Sequence, residues 1–309
     1  MAAREGVAIL GVFVADLAFR AGRQPKDGET IVGSGFKMGP GGKGSNQSVA
    51  AARAGAKVTF ISRIGRDAFG EIALKTWKDE GIVARAAEAD KEPTGAAYIF
   101  VNHDTGENAI IVYPGAGGAI SPADVEAAAD AIRGAKVFVT QLEQPAASAQ
   151  RGLEIARAAG VVTVFNPAPA VPIPDSIYPF CDYIVPNETE AAALTSLSVA
   201  TLGDAKRVGD ALLAKGAKNA LITLGERGVL LHNSKSSVEI PAFSAGPVVE
   251  TTGAGDAFVG GFAAAMARGS DPVEAARFGC AVAGISVTRP GTAPSMPRLA
   301  EVEALLARR

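Results

Sequence analysis

The stretch TTGAGDAFVGGF, residues 251–262, joins a turn of small residues to an apolar run and is the most specific segment of the chain. We predict a helix that begins near Asp256, directly after Gly253-Ala254-Gly255. Small residues at a helix start let three consecutive N–H groups converge on an anion, and the helix dipole adds about half a positive charge there. These donors would stabilise a phosphoryl group in transfer, and Asp256 could accept a proton from a hydroxyl nucleophile. A plain glycine turn followed by a first-turn acid explains the segment equally well.

A second glycine-rich segment, GPGGKGSNQ at residues 39–47, matches two phosphate-binding patterns only partly. Gly39, Gly41 and Gly44 satisfy G-x-G-x-x-G, but the segment lies well beyond the first predicted strand. It also lacks the acidic residue that dinucleotide-binding folds place about 20 residues later. The P-loop pattern fails because Gly44 occupies the position that requires Ser or Thr.

The same segment still favours a ligand site of another kind. Its glycines allow close approach of a ligand to the backbone, and a helix is predicted to start at about Ser45, where unpaired N–H groups face outward. Lys43 and Asn46 add a cationic donor and an amide. This combination suits a polyhydroxylated small molecule, while a tight turn before a capped helix is the simpler alternative.

Short β-branched runs alternate with Ala-rich stretches along most of the chain. This alternation predicts an α/β fold with a mostly parallel sheet covered by helices on both faces. Residues 16–38 and 94–113 break the alternation with turn signals and paired strand-like runs, which predict a small separate sheet. It could be a lid over a site, a sheet extension or a dimer surface. The predicted strands are 7–14, 57–62, 137–142, 161–165, 182–185 and 220–224, and the predicted helices are 47–54, 69–80, 147–159, 205–215, 256–267, 272–287 and 301–309.

Composition excludes several classes of protein. With 30 basic and 32 acidic residues the net charge is −2, so no basic surplus exists for nucleic acid. The N-terminal apolar run is preceded by Glu5 and interrupted by Asp16, which is typical of neither a secretory signal nor a membrane span. Two cysteines and two histidines are too few for a disulfide framework or a His-rich metal site. We therefore expect a cytoplasmic protein that binds neither membranes nor nucleic acids.

Several segments in a fixed order carry a family resemblance. GGKGSNQSVAAARAG at 41–55 and TTGAGDAF at 251–258 resemble the two signatures of the ribokinase (PfkB) family of sugar kinases, and the resemblance runs from about residue 6 to the C-terminus. Further matching segments are Gly28-Glu29-Thr30, Gln141-Leu142-Glu143, residues 166–170, 186–190, 223–228 and 287–295. The resemblance implies a single domain, residues 1–309, built as a three-layer α/β/α sandwich with a mostly parallel central sheet. It also identifies residues 16–38 and 94–113 as a discontinuous β lid.

The resemblance implies a role for each matching residue. It makes Asp256 the general base and the preceding small residues the anion hole. The implied sugar contacts are Asp16, Gly42, Lys43, Asn46, Glu143 and Asp256; the implied anion-hole residues are Gly253, Ala254 and Gly255; the implied nucleotide contacts are Asn187, Thr223, Gly225, Gly228 and Gly255. Asn187 and Glu190 would hold Mg²⁺ through water, and the positions matching a monovalent-cation site are Glu250, Thr252, Ser286, Arg289, Gly291 and Ser295.

The implied reaction is ATP-dependent phosphorylation of the 5-hydroxyl of D-ribose to ribose 5-phosphate. Mg²⁺ would accompany ATP, K⁺ would activate, and two copies would pair through the lid. Two departures qualify this expectation. Val14 stands where ribokinase-like chains usually have Asn, as in the deoxyribokinase subgroup, so 2-deoxyribose or another sugar is an alternative. Glu250 replaces the common Asp and is one methylene longer, which leaves side-chain ligation of K⁺ open.

Two functions of other classes compete with the kinase. A nicotinamide-dependent dehydrogenase would use residues 39–44, and the missing acidic partner argues against it. A sugar-binding protein without turnover would not need Asp256, Asn187, Glu190 and the small-residue turn together. Their joint presence favours an enzyme.

Overall fold

A computed structural model describes residues 4–308 of the chain. Its strands are β1 (Val7–Leu10), β2 (Val14–Ala21), β3 (Gly35–Gly41), β4 (Val58–Gly65), β5 (Val83–Ala89), β6 (Thr94–Asn102), β7 (Asn108–Gly115), β8 (Val137–Thr140), β9 (Val162–Phe165), β10 (Tyr183–Ile184), β11 (Asn219–Thr223), β12 (Val229–Asn233) and β13 (Ser237–Ile240). Its helices are α1 (Lys43–Arg53), α2 (Ala68–Asp79), α3 (Pro122–Ala127), α4 (Ala129–Gly134), α5 (Ala146–Ala158), α6 (Glu188–Thr195), α7 (Leu202–Ala214), α8 (Ala254–Arg268), α9 (Pro272–Ser286) and α10 (Leu299–Leu306).

The central sheet has nine strands in the order β13-β12-β11-β10-β9-β8-β1-β4-β5. All neighbours pair in parallel except β12 and β13, which form an antiparallel edge. Both faces are buried: in β1, Val7 and Ile9 join the core on the side of α1, α2, α8 and α9, and Ala8 and Leu10 join the core on the side of α5 and α7. The predicted α/β sandwich with a mostly parallel sheet is confirmed.

The first predicted strand, residues 7–14, is wrong in its extent. The central sheet uses only Val7–Leu10, and Val14 begins β2 in a different sheet. Gly11 explains the break, because a Cβ there would lie 2.7 Å from the Cα of Gly44 and 2.4 Å from the side chain of Gln141. The chain turns over the start of α1 at this point, and the apolar run does not show it. Asp16 therefore lies within β2, in the small sheet.

The small sheet has the strand order β3-β2-β6-β7, with β2 and β6 parallel and the outer pairs antiparallel. Its strands overlap both predicted segments and begin at residue 14 rather than 16. Side chains alternate between its two faces. The register places Val14, Asp16, Ala97 and Ile99 on one face and Leu17, Phe19, Phe36, Met38 and Tyr98 on the other.

Several element boundaries differ from those predicted. α1 begins at Lys43 and α8 at Ala254, two residues before the predicted starts near Ser45 and Asp256. The last helix is Leu299–Leu306, whereas the predicted helix was 301–309. Residue 309 of that prediction lies outside the described residues. Residues 1–3 of the N-terminal segment also lie outside them. Between residues 4 and 308, no helix has both the length and the apolarity needed to cross a bilayer.

Candidate active site

The start of α8 has the geometry of an anion site. Gly253 caps the helix with a φ of 83°, a left-handed conformation that favours glycine. A Cβ at Gly255 would have no atom within 4 Å, so this residue faces open space. The N–H of Ala254 donates to the carbonyl of Thr251 at 3.1 Å, which commits one of the three donors predicted to converge on an anion. The predicted anion site therefore depends on the N–H groups of the two neighbouring residues, Gly253 and Gly255.

The carboxylate of Asp256 is buried and held by two amides from α1. Asn46 Nδ2 donates to Oδ2 at 3.0 Å, and Gln47 Nε2 donates to Oδ1 at 3.0 Å. Burial raises the pKa of Asp256, while the charge of Lys43 and the two amide donors act in the opposite direction. An acid that only stabilised a helix start would be exposed. The buried environment of Asp256 therefore favours its predicted role as a proton acceptor over that of a first-turn acid.

The glycine-rich loop brings α1 against the segment that follows β8. Gly42 has a φ of 86°, and a Cβ there would lie 2.5 Å from the carbonyl oxygen of Val12. The N–H of Lys43 donates to Glu143 Oε2 at 2.7 Å. Burial raises the pKa of Glu143 to about 7, even though the charge of Lys43 lowers it. The structure thus joins two of the predicted sugar contacts directly.

Asp16 reaches this region from the small sheet. Burial raises its pKa to about 6, against the lowering effect of a hydrogen bond from Thr292. The Thr292 hydroxyl lies 3.3 Å from Asp16 Oδ2 and 3.1 Å from the carbonyl oxygen of Pro40. A Cβ at Gly41 would lie 2.2 Å from Asp16 Oδ1, so only glycine fits beside this carboxylate. Sequence reasoning assigned no role to Thr292, which links Asp16 to the loop before α10.

Lys43 provides a positive charge among carboxylates that come from different elements. Burial is the largest single influence on its pKa and lowers it, but the charges of Asp256, Glu143 and Glu190 together outweigh burial, so the pKa is raised. The ammonium therefore stays charged in the cavity. A buried ammonium can bind hydroxyls, carboxylates and phosphate oxygens alike.

One cavity of about 150 Å³ connects the two glycine-rich segments. Its lining residues are Lys43, Asn166, Ala168, Val185, Asn187, Glu190, Thr223, Gly253, Gly255, Asp256 and Val259. The lining thus combines predicted sugar, nucleotide, metal and anion-hole residues. It does not include Asp16, Gly42, Asn46, Glu143, Ala254, Gly225 or Gly228.

Asn187 and Glu190 form the capping box of α6. The Asn187 side chain accepts the N–H of Glu190 at 2.8 Å, and Glu190 Oε2 accepts the N–H of Asn187 at 2.9 Å. Both residues therefore have a structural role at the start of α6. Burial also raises the pKa of Glu190. Both residues line the cavity, so oxygen atoms that suit Mg²⁺ are near the start of α8.

The other predicted nucleotide contacts lie around the end of β11. Thr223 ends the strand and lines the cavity. Gly225 has a φ of 57°, and a Cβ there would have no atom within 4 Å. Gly228 has a φ of 92°, and a Cβ there would lie 2.1 Å from the carbonyl oxygen of Ile240. The glycines therefore shape an open loop directly after β11.

Two of the predicted monovalent-cation residues, Glu250 and Ser295, contact the loop around Gly291 and Thr292. Glu250 Oε2 accepts the N–H of Gly291 at 2.8 Å, and the Ser295 hydroxyl donates to Thr292 O at 2.7 Å. Ser286 donates to Ala283 O within α9, Arg289 forms an ion pair with Glu301, and Thr252 is exposed. Among residues 4–308, no group of three or more His, Cys, Asp or Glu side chains could hold a metal ion. Ligation here would therefore depend mainly on main-chain and hydroxyl oxygens.

Comparison with known proteins shows which family the chain belongs to. The family described as pfkB family carbohydrate kinase matches residues 4–299. A ribokinase of Haemophilus influenzae is 38% identical over 295 residues, covering 95% of this chain and 96% of the relative. A deoxyribokinase of Salmonella typhi is 35% identical over 297 residues, with 95% and 96% covered. The structure of Arabidopsis thaliana ribokinase complexed with ribose and ATP superposes with a TM-score of 0.91 at 31% identity, covering 98% of this chain and 99% of that one.

Proposed function

The chain belongs to the pfkB family of carbohydrate kinases and is an ATP-dependent sugar kinase, and we propose that D-ribose is its sugar and the 5-hydroxyl its acceptor. One observation carries the proposal: the carboxylate of Asp256 lies between the two α1 amides and opens on the cavity that Gly253 and Gly255 also line. A hydroxyl bound there would meet a base and an anion site together.

In the proposed mechanism, Asp256 accepts the proton of the 5-hydroxyl as the oxygen attacks the terminal phosphorus of ATP. Gly253 and Gly255 donate N–H groups to the transferring phosphoryl group, and the ammonium of Lys43 offsets its negative charge. Asp16, Asn46 and Glu143 accept or donate hydrogen bonds to the other sugar hydroxyls. Asn46 Oδ1 supports this role because it is buried without a protein partner among the described residues.

The nucleotide side is proposed to use Asn187, Thr223, Gly225 and Gly228. Oxygen atoms of Asn187 and Glu190 would hold Mg²⁺ through water, and this ion would neutralise charge on the ATP phosphates. Their fit rests on a donor set of carboxylate and amide oxygens at the cavity wall. The small sheet is proposed as a lid that excludes water from the transferring phosphoryl group.

A panel of pentoses and hexoses with ATP and Mg²⁺ tests the proposal through release of ADP. D-ribose should give the largest kcat/KM, and ribose 5-phosphate should be the product. Turnover with none of the sugars would contradict the assignment of a sugar substrate.

A second candidate substrate, 2-deoxyribose, is favoured by Val14. This side chain is buried, lies on the same face of the small sheet as Asp16, and has glycines 41 and 95 opposite it on the neighbouring strands. An apolar group there offers no hydrogen bond to a sugar hydroxyl. The resemblance to a deoxyribokinase agrees with this alternative.

Replacing Val14 by Asn should raise the preference for ribose over 2-deoxyribose by about 2- to 10-fold in the ratio of kcat/KM, because one added hydrogen bond to a neutral hydroxyl contributes about 0.5–1.5 kcal/mol. Steady-state rates of both variants with both sugars give this ratio. Val12→Asn serves as a control for the cost of a buried amide, since Val12 is equally buried but precedes β2. An unchanged ratio in Val14→Asn would show that Val14 does not contact the sugar.

We also propose that K⁺ activates the enzyme at the loop formed by Glu250 and Gly291. Replacing K⁺ by tetramethylammonium, which is too large for such a loop, should lower kcat several-fold. Glu250→Gln should weaken the K⁺ response, because it removes the negative charge while keeping the length of the side chain. Equal rates in the two cations would contradict K⁺ activation.

Pairing of two copies is proposed through the face of the small sheet opposite Asp16. Phe19, Phe36 and Met38 are 43%, 59% and 47% exposed there, and the ring of Phe19 packs against that of Phe36 at a tilt of 47°, with centroids 4.8 Å apart. A patch of this kind typically marks an interface. Phe36→Lys should convert a dimer to a monomer in light scattering, and a dimer that persists at the same concentration would contradict this placement.

A further inference from the structure

A chain of buried amides lies behind Asp256, and none of its members beyond α1 touches the carboxylate. Gln47 is fully buried, and its Nε2 donates both to Asp256 Oδ1 and to Asn166 Oδ1, each at 3.0 Å. Gln47 Oε1 accepts Gln141 Nε2 at 2.5 Å. Asn166 Nδ2 in turn donates to the main-chain oxygen of Val185 at 2.8 Å.

The network is built on consecutive strand ends of the central sheet. Gln141, Asn166 and Val185 each follow directly after the last residue of β8, β9 and β10, which are neighbours in the sheet. Strands position such groups more rigidly than loops do. The amides are therefore held by the backbone of three strands and not by a mobile segment.

The direction of every hydrogen bond in this chain follows from one fixed acceptor. A main-chain carbonyl can only accept, so the oxygen of Val185 requires the NH₂ group of Asn166 to face it. Asn166 Oδ1 must then face Gln47, which requires the NH₂ group of Gln47 on that side. The same NH₂ group reaches Asp256. If Gln47 turned over, its oxygen would meet two other acceptors, Asn166 Oδ1 and Asp256 Oδ1.

We propose that Gln47 is a positioning residue for Asp256, locked by Gln141 and Asn166 in the one orientation that presents an N–H to Oδ1. With Oδ1 held by Gln47 and Oδ2 by Asn46, rotation of the carboxylate is restricted while Asp256 lines the cavity. The inference rests on the proposed role of Asp256 as the base. It adds a requirement that two amides without contact to the carboxylate, Gln141 and Asn166, control the base through Gln47.

Charge around Asp256 makes this donor important. The charged groups that face the carboxylate are Lys43 on α1, Asp16 on β2, Glu143 after β8 and Glu190 on α6. Three of these four are acids, and burial also favours the neutral form of Asp256. The N–H groups of Gln47 and Asn46 counter this effect because they bind the ionised form. Loss of the Gln47 donor should move the titration of the base to higher pH.

The test compares Gln47→Leu, which removes the donor, with Gln47→Glu, which keeps the shape and adds an acceptor. In both variants kcat at pH 7 should fall about 10- to 100-fold, and the acidic limb of kcat should move up by about one pH unit or more. KM for sugar and ATP should change by less than about threefold. The control is Asn219→Leu. The Asn219 side chain donates to the main-chain oxygen of Asp182 at the start of β11, at the end of the sheet away from Asp256. The pH profile of this variant should match that of the wild type.

A double-mutant cycle separates positioning from general destabilisation. Asn166→Leu alone should lower kcat about tenfold, but it should have little further effect in Gln47→Leu, because Asn166 reaches Asp256 only through Gln47. Unfolding temperatures of all variants are measured alongside. Additive effects on kcat, or variants whose kcat falls without a shift of the pH profile, would overturn the inference. Because the wild type is measured in the same assay, absence of its own turnover would refute the proposed function instead.

Discussion

Asp256→Asn is expected to lower kcat by about a thousandfold or more while the affinity for sugar changes little. A positioned general base contributes about 10²- to 10⁴-fold to a proton transfer, and an amide cannot accept the proton. The fold should survive, because Asn46 Oδ1 has no protein partner among the described residues and can turn to accept the new NH₂ group. Steady-state kinetics gives kcat, and calorimetric titration gives the affinity for sugar.

The matched control for this variant is Asp271→Asn. Asp271 caps α9, and its carboxylate accepts the N–H groups of Val273 and Glu274, so it is an acid at a helix start without contact to the cavity. Asn is an equally good cap, and activity should be unchanged. If Asp256→Asn behaved like Asp271→Asn, with kcat within about threefold of the wild type, then Asp256 would be only a helix-favouring acid.

Lys43→Met should lower kcat/KM by about a hundredfold or more, with most of the loss in kcat. The ammonium lines the cavity with Gly253 and Gly255 and faces three carboxylates, so its removal leaves developing phosphoryl charge beside uncompensated acids. The lost charge should also raise the pKa of Asp256 and Glu143 further, because Lys43 lowers both. Activity of the variant should therefore recover in part as the pH rises.

Lys57→Met is the control for the loss of a lysine, since Lys57 is exposed and pairs with Glu5 at the surface. Its rates should equal those of the wild type, because an exposed ion pair contributes little. A Lys43→Met variant with a normal kcat and a raised KM for sugar would place Lys43 in sugar binding alone.

The apolar and polar pattern of the sequence predicted the architecture because it follows which residues are buried. Parallel strands covered on both faces read as continuous apolar runs, and the predicted strands at 137–142, 161–165 and 220–224 overlap β8, β9 and β11. The same property caused the error at residues 7–14. An apolar run does not reveal that Gly11 packs on Gly44 and that the chain leaves one sheet for another.

The candidate site was predictable where its residues lie in local motifs. The two glycine-rich segments contain candidate residues that can be recognised from the sequence. The structure brings four of them, Lys43, Gly253, Gly255 and Asp256, to one cavity. Gln47 and Thr292 are different, because their roles depend on partners more than 100 residues away in the chain. A polar residue directly after a buried strand, as at Gln141 and Asn166, was the available signal. No pattern in one sequence shows which of these amides point toward Asp256.

The most direct test is the structure of a complex with D-ribose and a non-hydrolysable ATP analogue. The account predicts the 5-hydroxyl oxygen about 3 Å from a carboxylate oxygen of Asp256, with the terminal phosphate against the backbone of Gly253 and Gly255. A complex with the small sheet closed over the sugar, but with the 5-hydroxyl and the terminal phosphate far apart or away from Asp256, would contradict it.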